Sequence, residues 1–299
     1  MDAFVFDMLS LLKARFEAAG GAPRYQVGEA GRDVSARQFY LARLEDNLVR
    51  PLSARHRAEY ARGSGGELEG KMNALRSSSA MTFNLLGNGR CELEGAEPEV
   101  PDGAYRVSYE RQLPTLRTGL PANLDAYLVR SDGRAVIACE MKLLEWLTAA
   151  PRPLKAKYFD PTNHLHRDAA GTFIEVARAL EASGRFRRYD FAQMFKHSLA
   201  LYNAVRAPSW EGAERLVLLN CVWEPGSVGE CPPSTRRRLA AAVQEEHEGF
   251  AAFRDACRPL VGLFAREGVA FSLAYRTSAE LIAARVCGKR ERDKLRRYC

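Results

Sequence analysis

The most constraining feature of this sequence is an apolar segment at 135–147, AVIACEMKLLEWL, which has an acid, Glu140, and a base, Lys142, two residues apart in its middle. A Ser-Asp-Gly turn at 131–133 precedes it, and an apolar run of this kind predicts a buried central strand. Alternate side chains of a strand share a face, so we expect Glu140 and Lys142 on one face, about 7 Å apart. Charged side chains are rarely buried unless they are paired or bind a metal, because desolvation costs several kcal/mol. The segment is therefore a candidate site.

The preceding segment, residues 123–129, alternates apolar and polar side chains. This pattern predicts a second strand, and the short turn between the two segments predicts an antiparallel hairpin. One face is expected to hold Leu124, Ala126 and Leu128, and the other Asn123, Asp125 and Tyr127. Asp125 can then lie beside Glu140 and Lys142. Two carboxylates next to a lysine suit Mg²⁺, which keeps several waters and takes further ligands from a substrate phosphate.

The order of Asp125, a hairpin and Glu140-x-Lys142 resembles the PD-(D/E)xK nuclease superfamily, the fold of many restriction endonucleases. The resemblance implies that Asp125 and Glu140 bind one or two Mg²⁺ ions, for which Mn²⁺ can substitute. It also implies that Lys142 positions or activates the attacking water. The resemblance covers residues 105 to about 202, and Leu124 stands where the pattern has a proline. Similarity to a little-characterised bacterial branch of the superfamily comes from residues 77–80, 83–84 and 121–125.

A Glu-x-Lys motif alone is weak, and this chain contains a second copy at Glu69-Gly70-Lys71. That copy lies among glycines with no apolar strand around it, which predicts a solvated loop or the start of a helix. For the copy at Glu140, the alternative to a nuclease site is a buried ion pair in an ordinary α/β core. Buried ion pairs occur in such cores, although they often contribute little net stability. We favour the nuclease site because of the upstream Asp125.

Two further residues are weaker site candidates. Glu110 ends a predicted first strand at 105–110, from which it can approach Asp125 or simply remain exposed. Gln193 lies on a predicted helix at 191–203, where it shares one polar face with Lys196 and His197. The resemblance implies a role for this helix, because in the superfamily a helix after the Glu-x-Lys strand often offers a Gln or a base to the site.

The predicted organisation is one compact α/β unit of the α+β type, with a restriction-endonuclease-like mixed sheet flanked by helices. Residues 1–100 are expected to form a mainly helical N-terminal region packed on the core, which includes a helix at 4–18 and a long helical stretch at 35–62 interrupted at Pro51. Residues 101–299 are expected to form the nuclease-like core with C-terminal helices and a basic tail.

Composition indicates what kind of molecule the protein binds and in which cellular compartment it works. The net charge of +7 favours a polyanionic partner, and the tail at 289–299 can either hold phosphates or form a solvated helix end. The seven cysteines form no Cys-x-x-Cys pair, which suits free thiols in a reducing cytoplasm. No apolar run approaches the roughly 20 residues of a membrane helix, and the N-terminus lacks the features of a signal peptide.

The sequence therefore predicts a cytoplasmic, Mg²⁺-dependent endonuclease acting on nucleic acid, most plausibly DNA, in restriction, repair or defence. A homodimer is expected by analogy with enzymes that cut both strands of a symmetric site. The alternative is a non-catalytic nucleic-acid-binding α/β domain whose Asp125, Glu140 and Lys142 are the remnant of a nuclease site.

Overall fold

A six-stranded sheet forms the centre of the protein. The computed structural model describes residues 2–20, 24–26, 37–63, 66–148 and 150–299. The strands follow one another in chain order across the sheet: β1 Arg90–Leu93, β2 Gly103–Leu113, β3 Ala122–Arg130, β4 Ala135–Lys142, β5 Arg215–Val222 and β6 Ala270–Thr277. Strands β1 to β4 pair antiparallel, whereas β4, β5 and β6 pair in parallel. The predicted mixed sheet of an α+β fold is thus confirmed.

Helices cover both faces of this sheet. In the described part of the chain they are α1 Ala3–Ala18, α2 Leu44–Asn47, α3 Ala54–Arg62, α4 Ser78–Leu86, α5 Arg167–Ala182, α6 Phe191–Val205, α7 Pro233–Ala256, α8 Arg258–Arg266, α9 Ser278–Ala284 and α10 Lys289–Leu295. One hydrophobic cluster joins α1, α4 and the C-terminal end to one face of the sheet. A second cluster joins α5, α6 and α8 to the other face. These are called below the N-terminal face and the α6 face.

Strands β4 and β5 are buried along almost their whole length. Both are flanked by strands on each side and covered by a hydrophobic cluster on each face, which explains why their sequences are apolar runs without alternation. The hairpin of β3 and β4 confirms the predicted central pair. Charged side chains on β4 therefore lie in an interior that disfavours them.

The long helical stretch predicted at 35–62 is wrong for the residues that the structure describes; 35 and 36 lie outside them. Two short helices, α2 and α3, replace it. The chain leaves α2 at Asn47, whose side-chain amide donates to the carbonyls of Met72 (2.7 Å) and Ala74 (3.0 Å). Pro51 then blocks helical continuation, and Ser53 starts α3 by accepting from the His56 N–H at 3.3 Å.

Three further observations bear on the predictions. Strand β1 lies within the N-terminal region predicted to be mainly helical, and β2 is longer than the strand predicted at 105–110. All seven cysteines are free thiols. No helix in the described residues has both the length and the apolar character needed to cross a bilayer.

Candidate active site

Strands β3 and β4 separate at Asp125. Their pairing runs from Val129–Val136 to Ala126–Cys139, and the next pair in this register would be Asp125 with Glu140. That pair is missing from the ladder, and the Asp125 carboxylate instead accepts a hydrogen bond from the Met141 N–H at 2.7 Å. The Asp125 carboxylate is thereby fixed to the backbone between Glu140 and Lys142.

A distortion of β2 lies directly opposite. Glu110 has φ of +53°, the only positive value for a non-glycine residue in the described ranges. Pairing between β2 and β3 holds at Tyr109–Ala126 and at Arg111–Leu124, but Glu110 and Asp125 between them are unpaired. The left-handed conformation costs a non-glycine residue roughly 1 kcal/mol, and such strain often accumulates at functional sites.

This distortion overturns the predicted faces of β3. Leu124 packs in the cluster on the α6 face, whereas Ala126 and Leu128 pack on the N-terminal face. The three residues therefore do not share a face, because strict alternation fails where the ladder is interrupted. Asp125 lies between Leu124, which packs on the α6 face, and Ala126, which packs on the N-terminal face.

Glu140 and Lys142 share one face of β4 and form an ion pair, with 2.7 Å between Lys142 Nζ and Glu140 Oε1. Helix α6 supplies two further partners. His197 Nε2 donates to Glu140 Oε2 at 2.8 Å, and Lys142 Nζ donates to Gln193 Oε1 at 2.6 Å. Asp190 caps the start of α6 by accepting from the Gln193 N–H at 3.0 Å, which fixes the first turn of the helix against β4.

Glu110 approaches the same place from β2. Its carboxylate accepts a hydrogen bond from the Asn123 side-chain amide, and its negative charge raises the pKa of Asp125. The structure thus brings together Asp125, Glu140, Lys142, Gln193 and Glu110, the five site residues that the sequence suggested. The second Glu-x-Lys copy is exposed and lies in the turn before a short 3₁₀ helix, Lys71–Asn73, as predicted.

The carboxyl groups of the site differ in how strongly they hold a proton. Burial raises the pKa of Asp125, and the charges of Glu140 and Glu110 raise it further. Burial also raises the pKa of Glu110, to about 7. Burial acts in the same direction on Glu140, but the Lys142 charge and the His197 hydrogen bond outweigh it and lower the pKa of Glu140 to about 2. Glu140 is therefore the carboxyl group that stays ionised, and Asp125 is the one whose ionisation a nearby cation would promote.

The donor set is that of a hard cation. Asp125 and Glu140 offer carboxylate oxygens, which suit Mg²⁺ better than Zn²⁺. Among the described residues, however, no group of three or more His, Cys, Asp or Glu side chains is arranged to hold a metal ion. Both oxygens of Glu140 already contact donors, Lys142 and His197. A cation would therefore rely on water and substrate oxygens for most of its ligands.

Sequence analysis missed a polar group on the neighbouring strand. The β4–β5 register places Asn220 beside Glu140, and its amide nitrogen lies 3.5 Å from Glu246 Oε1 on α7. Lys142, Asn220 and Glu246 line a small cavity of about 60 Å³. The signal was present in the sequence, because Asn220 is the one polar residue within the apolar run 216–223.

The predicted basic tail is folded rather than free. Arg297 is buried, donates to the Asn47 carbonyl at 3.0 Å, and its guanidinium lies 4.7 Å from the ring centroid of Phe16. The end of the chain therefore stabilises the N-terminal region, and the remaining basic residues of α10 extend from a packed element.

Comparison with known proteins gives one family. No curated protein and no solved structure matches the chain. A family model described as "Restriction Endonuclease associating with ARP" matches residues 13–227. The matched span contains β1 to β5 and all the residues of the candidate site, from Glu110 to Asn220. The match extends over well more than half of the chain, so the protein belongs to this restriction-endonuclease family, and its function is of the nuclease type.

Proposed function

We propose that the protein is a Mg²⁺-dependent endonuclease that hydrolyses phosphodiester bonds of DNA. The observation that carries this proposal is the convergence of Asp125 on the Glu140–Lys142 pair where β3 and β4 separate. Two carboxylates and a lysine, held on neighbouring strands of a central sheet, form a set that suits phosphoryl transfer. Membership of a restriction-endonuclease family supports the same chemistry.

Asp125 and Glu140 are proposed to hold Mg²⁺, for which Mn²⁺ would substitute. A cation bound there supplies Lewis acidity toward the phosphodiester and neutralises the charge that develops on it. The raised pKa of Asp125 supports this assignment, since burial, followed by the neighbouring carboxylates, destabilises its charged form until a positive charge offsets these effects. Glu140, with its lowered pKa, is ionised throughout the physiological range.

Lys142 is proposed to orient the attacking water and to stabilise the negative phosphate. Glu140 raises the pKa of Lys142, although burial alone would lower it, so the ammonium stays charged. The Lys142 ammonium has three N–H groups. One donates to Gln193 and another to Glu140, which leaves the third for the water or the phosphate. Gln193 thus acts as a positioning residue. Glu110 is proposed to add negative charge beside Asp125.

One observation favours a second candidate, a non-catalytic nucleic-acid-binding domain. Each oxygen of Glu140 is within 2.8 Å of a donor nitrogen, one from Lys142 and one from His197. In an inactive remnant this ion-pair network would persist for stability alone. In an active site, cation binding must compete with at least one of these contacts.

The test is cleavage of plasmid and single-stranded DNA with Mg²⁺, Mn²⁺ or EDTA. The variants Asp125→Asn, Glu140→Gln and Lys142→Ala are compared with two matched controls at exposed positions, Glu69→Gln and Lys289→Ala. We expect metal-dependent cutting by the natural protein and by both controls, and at least a hundredfold loss in the three site variants. If the natural protein binds DNA but does not cut it with either metal, the second candidate replaces the first.

The cellular setting is also a proposal. All seven cysteines are free thiols, five of them buried, which is consistent with a reducing cytoplasm. We propose a homodimer for cutting both strands of a symmetric site, to be tested by light scattering. The family description names association with ARP.

A further inference from the structure

Two exposed arginines lie directly opposite each other on the first two strands. The β1–β2 register pairs Arg90 with Arg106. Within the described ranges, neither guanidinium group makes a hydrogen bond or an ion pair with the protein. Like charges directly opposite on an antiparallel pair are destabilising. A strand pair that carries them therefore gains from an anion bound between them.

The surroundings of this pair are strongly basic. Two clefts, of about 460 and 340 Å³, both include Arg90 and Arg106 in their walls. The first adds Arg50, Arg285 and Glu92, and the second adds Arg55, Arg111 and Glu211. Each of the four added arginines contacts a carboxylate: Arg50 and Arg285 share Glu291, Arg55 contacts Glu59, and Arg111 contacts Glu211. Arg90 and Arg106, which we call the cross-strand arginine pair, are the two arginines of these walls whose guanidinium groups form no ion pair within the described residues.

The cross-strand arginine pair lies on the same face of the sheet as the candidate site. Val107 and Tyr109 pack on the N-terminal face, so Arg106 projects on the α6 face. Glu140 and Lys142 contact α6 and share that face. Arg106 is four residues from Glu110 along β2, roughly 13 Å at the rise of a strand. Arg111 follows Glu110 and lies on this face together with Leu113. Its guanidinium is 3.9 Å from the ring centroid of Tyr127.

This distance along β2 lies within the reach of a nucleic-acid backbone. One strand of duplex DNA carries a phosphate about every 3.4 Å along the helix axis. A backbone with its scissile phosphate at Asp125 can therefore bring another phosphate, a few nucleotides away, to the cross-strand arginine pair. The planar guanidinium groups are suited to bidentate contacts with phosphate oxygens.

We propose that Arg90 and Arg106 form a second phosphate-binding site for the polynucleotide, outside the cleavage site. It takes backbone phosphates of the substrate strand irrespective of base sequence. The proposal rests on the proposed nuclease function, because the position of the scissile phosphate sets the distance. It goes further by stating how the substrate runs, along β2 from Glu110 toward Arg106 and across to Arg90 on the edge strand β1.

The test compares two double variants that remove the same charge. Arg90→Ser/Arg106→Ser removes the cross-strand arginine pair, and Arg236→Ser/Arg237→Ser removes two exposed arginines of α7. Both are made in the full-length chain carrying Asp125→Asn. Binding to a labelled mixed-sequence DNA duplex, and to the matching single strand, is measured in EDTA by fluorescence anisotropy over a range of NaCl concentrations.

We expect the Arg90/Arg106 variant to bind at least tenfold more weakly at moderate salt. We also expect the slope of log affinity against log salt on the duplex to fall by about 1.8, which corresponds to two lost phosphate contacts. The α7 variant is expected to keep the slope. Thermal melting is expected to show no loss of stability in the Arg90/Arg106 variant, since a repulsive pair is removed.

Equal weakening in the two variants, or an unchanged slope for both, would overturn the second phosphate site. These outcomes are separable from failure of the nuclease proposal. A protein that binds DNA with the expected slopes but never cuts it retains the arginine site and loses the catalytic assignment. A protein that cuts with metal, but whose binding does not depend on Arg90 and Arg106, retains the catalysis and loses this site. Absence of nucleic-acid binding in the parent protein overturns the arginine site outright.

Discussion

His197 Nε2 donates to Glu140 Oε2 at 2.8 Å, and both side chains are almost completely buried. This contact joins α6 to β4 at the centre of the molecule, where an ionised carboxylate without partners would be very costly. Together with Lys142 it keeps Glu140 charged, as the lowered pKa of that carboxyl group shows. The helix therefore helps to maintain the charge that the proposed chemistry needs.

Replacing His197 by Phe should destabilise the protein. The substitution removes one of two partners of a buried carboxylate, which costs roughly 1–3 kcal/mol. His197→Gln, which can still donate to Glu140, should recover a large part of this loss. Urea denaturation of both variants measures the difference in the free energy of unfolding. Equal stability of the Phe and Gln variants would show that the hydrogen bond contributes nothing and that only side-chain volume matters.

Gln193→Ala should slow catalysis more than it lowers stability. Gln193 is only partly buried, and its carbonyl oxygen accepts from Lys142 at 2.6 Å. Loss of one positioning hydrogen bond of about 1.4 kcal/mol corresponds to a tenfold lower rate. We expect this loss in kcat with little change in KM, measured by steady-state cleavage. Gln244→Ala, the same substitution at an exposed position of α7, is the control. A similar loss of kcat in both variants would argue against a specific role for Gln193.

Much of the fold followed from the sequence because local pattern and burial agree there. The first eight residues of the apolar run, Ala135–Lys142, do form the buried β4, although the run ends in a 3₁₀ helix, Glu145–Leu147. The Ser-Asp-Gly turn does produce the hairpin with β3. The interruption at Pro51 was expected, because proline restricts the backbone, but the long helix predicted before it failed. There the tertiary hydrogen bonds of Asn47 override the helical pattern. Local propensity does not contain these contacts.

The sequence predicted which residues would come together at the candidate site, but not their geometry. Alternation correctly placed Glu140 and Lys142 together, because β4 is regular up to Lys142. The facing of Leu124 was not predictable, because it depends on the left-handed backbone of Glu110 on another strand. The contact between His197 and Glu140 depends on how α6 lies over the sheet, and helical periodicity gives only the face on which His197 lies.

Because Glu110 has a positive φ, we expect glycine to be more stable than alanine at this position, the reverse of the order in a regular strand. In a regular strand, glycine is less stable than alanine by about 0.5–1 kcal/mol. At Glu110, with φ of +53°, Glu110→Gly should instead be more stable than Glu110→Ala by about 1 kcal/mol, because glycine adopts this conformation without strain. Paired urea titrations measure the difference. The same two substitutions at Ser108, which pairs regularly with Tyr127, should give the ordinary order. Alanine more stable than glycine at both positions would contradict the backbone strain.

Glu246 should make stability fall as the pH rises. Burial raises the pKa of Glu246 from 4.5 to about 7, and in the described structure its Oε2 atom has no hydrogen-bond partner. The unfolded chain therefore loses this proton at lower pH than the folded chain, so folding is progressively opposed between pH 4.5 and about 7. Glu246→Gln, which stays neutral, should gain up to about 3 kcal/mol over the natural protein on going from pH 4.5 to pH 8. Chemical denaturation at these pH values measures the gain, and Glu248→Gln, at an exposed position of the same helix, serves as the control. A difference between Glu246→Gln and the natural protein that does not change with pH would mean that this carboxyl group titrates alike in the folded and unfolded states.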